Sequence, residues 1–112
     1  MQNSLFYITA PSMEVAENIA EQLVDKKLAA CANIIPRLKS FFYWEGEVQS
    51  EEEVLVLGKT KTSLIPELEE EVKEIHPYEV PCFISWQIDA GHKPFMEWIA
   101  EETRDAVNKK DK

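Results

Sequence analysis

Glycine and cysteine are scarce in this chain, with 3 and 2 respectively among 112 residues. So few glycines build no phosphate-cradling loop. Cys31 and Cys82 lie far apart in sequence and form no close-spaced metal or redox motif, so both are expected to be reduced, small and mostly buried. Positive charge is also short: 12 basic residues stand against 21 acidic ones, and the formal charge is -9. Nucleic-acid affinity rests on Lys and Arg displacing counterions, so a nucleic-acid partner is excluded. The balance is compatible with attracting cations, although solvated helix faces account for most of the acids. No apolar run approaches the length of a membrane span, and Met1 to Ser4 carry no export signal, so a cytoplasmic location is expected. No serine or cysteine nucleophile has a recognisable base, and no paired-carboxylate signature occurs, so no catalytic residue is assigned.

What the chain does have is an aromatic run, Phe41 to Trp44, followed by Glu45 and Gly46 and a returning segment that reaches Lys61. Gly46 gives the backbone freedom of a tight reversal and the β-rich flanks give two arms. Paired from Glu47 to Lys61, the returning arm would span about 50 Å, whereas a helix from Ser12 to Lys26 is only about 22 Å long. The tip would overhang its own domain, an association hazard unless a partner covers it. The alternative is an ordinary hairpin with Ser50 to Glu53 as a loop.

The rest of the 1–112 chain reads as one domain with one core. Leu5 to Thr9 are apolar on both parities, as in a central strand covered on two faces. Ser12 caps a helix whose Val15, Ile19 and Leu23 recur every four residues. A second strand is expected from Leu28 to Ile35, with Pro36 marking a sheet edge or a bend before the aromatic arm. After the hairpin, Ile65, Leu68, Val72 and Ile75 share one helix face, with Glu69 and Lys73 as a pair outside; Pro77 ends that helix. Pro81 to Asp89 alternate as a last strand, with Cys82, Ile84, Trp86 and Ile88 on one side. Pro94 opens a third helix with a stripe of Phe95, Trp98 and Ile99, and the tail, from about residue 105, is expected to fray. Two strand-helix-strand units around a hairpin make a ferredoxin-like α+β sandwich with both main helices on one face. Residues of both parities are apolar in the middle strands, so the other face is expected to pack another subunit.

His76 to Pro81 is the most distinctive polar stretch. Two prolines hold an imidazole, a phenol and a carboxylate on a stiff backbone. It reads either as a pocket, with His76 and Glu79 as metal ligands and Tyr78 beside them, or as a stiff turn with Tyr78 packed. One chain offers too few ligands for a closed site, so a real one needs a neighbour or water. Lys59 ends an apolar strand run and is either a cleft residue for an anion or carboxylate, or a lysine in solvent. His92 reads as a surface residue, and Trp44, Trp86 and Trp98 as core or interface.

Taken together, Thr9-Ala10-Pro11, Ala29 to Asn33 with Ile35 and Pro36, Tyr43 to Gly46, Lys59-Thr60, His76 to Pro81, and Gly91 followed by Trp98 resemble the CutA divalent-cation-tolerance family, in family order over nearly the whole chain. The resemblance implies a ferredoxin-like subunit in a homotrimer similar to the PII signalling proteins, with hairpins joining neighbours, so that Tyr43, Trp44, Glu45 and Gly46 become interface residues. It also implies a link to divalent cations, Cu(II) foremost; some animal members are associated with anchoring or trafficking of a membrane enzyme. Bacterial members associated with copper carry a cysteine before Thr-Ala-Pro and two histidines before Pro-Tyr. Here Ile8 and Ile75 occupy the first two of those places, and His76 alone is kept.

The function expected is a cytosolic, non-catalytic homotrimer that binds divalent cations or a small anionic ligand between subunits. The rival is a trimeric scaffold or PII-like small-ligand sensor that interacts with another protein. An acylphosphatase-like or RNA-binding use of the fold is disfavoured by the missing anion loop and the net charge.

Overall fold

The computed structural model describes residues 2–107. Its elements run β1 (Asn3–Ala10), α1 (Met13–Asp25), β2 (Cys31–Trp44), β3 (Glu47–Lys61), α2 (Ile65–Ile75), β4 (Phe83–Gln87) and α3 (Lys93–Glu101), with one 3-10 turn at Thr62–Leu64 leading into α2. The 4 strands form one antiparallel sheet in the order β2-β3-β1-β4. With α1 and α2 as the crossovers, this is the ferredoxin-like α+β arrangement that the element order predicts.

Ser12 caps α1 by accepting a hydrogen bond from the Val15 N–H, and Ala16, Ile19, Ala20 and Leu23 are buried. From α2, Leu68 and Val72 join them. The sheet answers with its even-numbered face, on which Phe6, Ile8, Ala10, Val54 and Val56 are buried in the same cluster. α3 lies at one end of the opposite face, where the Asn3 amide donates to the Met96 carbonyl and Lys61 pairs with Asp105.

The hairpin is long and continuous. β3 is paired from Glu47, opposite Trp44, through Lys61, and Ser50 to Glu53 are strand rather than loop, with Phe41, Ser40 and Lys39 opposite Ser50, Glu51 and Glu52. Glu45 (φ 52°) and Gly46 (φ 80°) make the two-residue turn with positive φ at both positions. α1, at 13 residues, is about 20 Å long and stops short of the tip. β2 lies at the sheet edge and also bulges between Ile35 and Leu38, with Arg37 at φ 65°, so Pro36 marks both an edge and a bend.

Several elements and side chains lie elsewhere than the sequence pattern predicts. β2 begins at Cys31, because Leu28 and Ala29 instead donate to the Leu23 carbonyl and close α1 through Lys27 in the left-handed region. β4 covers only Phe83–Gln87, and Phe83 packs on the helix side. Lys73 pairs with Glu70 at 3.3 Å rather than with Glu69. Cys82 is exposed and Cys31 half-buried, both free. The three tryptophans are not core within this chain: Trp44, Trp86 and Trp98 are all exposed. The tail from Asn108 lies outside the described residues; before it, Asp105 pairs with Lys61 and the Val107 N–H donates to Glu67.

Candidate functional site

The odd-numbered face of the sheet has no helix over its middle. Leu5 stands between Trp86 and Lys59, and Tyr7 between Ile84 and Leu57. Ile84 and Trp86 are 55% and 45% exposed, and Ile35, level with Leu55, is 47% exposed. Beyond the bulge the same face carries Phe42 and Trp44, both exposed, while Phe41, Tyr43 and Val48 are exposed on the other side of the hairpin. This apolar surface is far more continuous than singly scattered surface residues, the pattern of an interaction face.

At the upper edge of that face, the chain leaving α2 folds back on β1. Pro77 disfavours helix at His76, whose extended backbone turns the ring inward. The ring is buried, and both nitrogens are used: Nε2 lies 2.8 Å from the Thr9 carbonyl, and Nδ1 accepts the Tyr78 N–H at 3.1 Å. A carbonyl can only accept, so Nε2 carries the proton and Nδ1 presents its lone pair to Tyr78. The Tyr78 ring leans on the imidazole at a centroid distance of 4.9 Å. Partial burial, and then the carboxylates of Glu51 and Glu53, hold the Tyr78 phenol proton above its ordinary range.

The residues singled out from sequence do not converge within one chain. Glu79 is exposed and makes no hydrogen bond among the described residues. Lys59, half-buried opposite Leu5, donates to the Asn33 amide oxygen at 2.8 Å. Leu5 and Thr9 are four residues apart, so Lys59 lies about 13 Å along the sheet from the His76 corner. Trp44 sits at the hairpin tip, roughly 26 Å beyond that corner. His92 is exposed, as a surface residue should be. An open hollow of about 380 Å³ between Pro11, Ser12, Pro36, Arg37 and Glu53 is lined by none of the predicted site residues. Sequence reasoning missed Glu51 and Glu53 as neighbours of Tyr78. The available signal was parity, since both share a face with Leu55, Leu57 and Lys59.

The sequence profile described as "CutA1 divalent ion tolerance protein" matches residues 4–102. The chain belongs to this family. It is 46% identical over 99 residues to the divalent-cation tolerance protein CutA of Archaeoglobus fulgidus, covering 88% of this chain and 96% of that one. Among solved structures, the divalent cation tolerance protein of Thermus thermophilus aligns with a TM-score of 0.89 at 44% identity, over 91% of this chain and 99% of its own. CutA1 from Oryza sativa aligns with a TM-score of 0.93 at 38% identity, over 95% and 97%. The Archaeoglobus structure is described as that of a periplasmic protein.

Does a CutA1 chain with these residues fit a copper-type ion? His76 could ligate only by giving up its bond from the Tyr78 N–H or its proton to Thr9. Among the described residues, no three His, Cys, Asp or Glu side chains gather into a group that could hold a metal ion. A single chain therefore does not fit the ion, because transition-metal centres take three or four protein ligands with their lone pairs free. No helix among the described residues is long and apolar enough to cross a membrane.

Proposed function

We propose that the chain acts in divalent-cation tolerance as a closed, non-catalytic homotrimer of the cytosol, with its working clefts between subunits. The observation that carries this reading is the helix-free face, where Tyr7, Leu57, Ile84 and Trp86 are left for a neighbour to cover while the hairpin projects beyond its own domain. Burying such a face would add about 25 cal/mol for each Å² of apolar surface removed from water. The number three follows the family resemblance, and the free thiols of Cys31 and Cys82 suit a reducing compartment.

In this reading cations bind where two chains meet. His76 and Glu79 are the candidate ligands, joined by groups from a second subunit, with Lys59, Tyr78 and Trp44 as cleft residues. Native mass spectrometry with and without Cu(II), on the wild type, His76→Ala and Glu79→Gln, tests this. A trimer that gains one copper per subunit and loses it in both variants supports the site. A trimer indifferent to copper removes it and favours the second reading, a scaffold or small-ligand sensor for another protein, for which the exposed hairpin aromatics speak.

A further inference from the structure

The helix-free face carries two opposite charges that their own chain leaves unmatched. Glu53 is the one carboxylate among the described residues that folding buries, with 9% of its surface exposed, and it has neither an ion pair nor a hydrogen bond among them. Lys59 stands on the same face of β3 and has only the Asn33 amide oxygen. The next lysine of that face, Lys61, is already paired with Asp105.

Within one chain the two cannot meet. Six residues of strand separate them by about 20 Å, beyond the combined reach of the side chains. Lys59 stands between Leu5 and Cys31, and Glu53 stands opposite Leu38 at the rim of the open hollow that Arg37 also lines, where its carboxylate still reaches water. Covering the face would strip the remaining water from each, and a carboxylate or ammonium so buried is strongly unfavourable without an opposite charge. A second copy of the same chain supplies that charge, since each copy offers one Glu53 and one Lys59.

We propose that Glu53 of one subunit pairs with Lys59 of the next across the helix-free faces. The contact is heterologous: each chain gives its carboxylate to one neighbour and its ammonium to the other, and repetition closes the ring. The pair fixes which part of one hairpin lies over which part of the next sheet, a register that apolar contact alone leaves loose. It also places the Glu53–Tyr78 corner at the subunit boundary. This inference rests on the homo-oligomer reading above.

Charge exchange tests it. Sedimentation equilibrium of Glu53→Lys and Lys59→Glu, singly and together, reads the association constant, with circular dichroism to verify folding. Each single reversal is expected to weaken association by about 100-fold or more, and the double exchange to return it to within about tenfold of wild type. Should a reversed charge prevent folding, Glu53→Gln and Lys59→Gln give the same cycle without repulsion. A wild type that assembles but shows additive losses overturns the pair and leaves the oligomer standing. A wild type that stays monomeric overturns both.

Discussion

The imidazole of His76 is held 2.8 Å from the carbonyl of Thr9, a residue 67 positions earlier, and so fastens the loop after α2 to the central strand. Because the second ring nitrogen accepts the Tyr78 N–H, the ring bridges strand and loop in one tautomer. His76→Ala should therefore destabilise the chain by about 2–4 kcal/mol, from two lost hydrogen bonds and the space left by a buried ring. Urea denaturation measures this, and faster proteolysis within residues 77–82 should accompany it. An unchanged midpoint would contradict the bridging role.

Gly58 lies opposite Phe6 in the register of β1 and β3, and the phenyl ring fills the place of a side chain. A Cβ there would overlap the ring edge and stand 2.8 Å from the Cys31 carbonyl oxygen. Gly58→Ala should cost about 3 kcal/mol, since the clash is with a core ring and with backbone. Thermal unfolding reads it, and Gly58→Ala combined with Phe6→Leu should recover part of the loss. A single variant as stable as wild type would show that the core yields more readily than its packing indicates.

Tyr78 gives the alkaline behaviour. Folding raises its pKa above the ordinary phenol value of 10.0, through burial first and the Glu51 and Glu53 carboxylates next. Its contribution to stability is thus fully present below pH 10.0 and is lost as pH rises through the higher folded value. Tyrosinate absorbance of wild type minus Tyr78→Phe should place this titration above the ordinary phenol range. Glu53→Gln should bring it down only part of the way, because burial is the larger cause. Titration of Tyr78 at or below the ordinary value would contradict the corner as described.

What was legible in the sequence was mostly local. The stripe of α1 follows from the spacing of Val15, Ile19 and Leu23, of which Ile19 and Leu23 are buried and Val15 half-buried, and the turn from Gly46, because helices and tight turns are decided by residues close in the chain. The two apolar faces of β1 and β3 were also readable from parity. The start of β2 was not, since Lys27 takes a left-handed position usually held by glycine and ends α1 without that signal. Phe83 was missed for another reason: its contact with the core is set by pairing with Ile8, which no short window contains. At the site, the rigidity of His76 to Pro81 was legible from its prolines, but the partner of the imidazole was not. Likewise, the run Glu51 to Glu53 looks uniformly wet until β3 is known to continue through it.

The most direct measurement is the mass of the protein in solution by sedimentation equilibrium at micromolar concentration, for wild type and for Trp86→Glu on the helix-free face. The wild type is expected at three times the 12.9 kDa chain mass, and the Trp86→Glu variant is expected to keep its circular dichroism while shifting toward the single-chain mass. A wild type that sediments as a single 12.9 kDa chain would contradict this, because the face carrying Tyr7, Leu57, Ile84 and Trp86 would then be left to water.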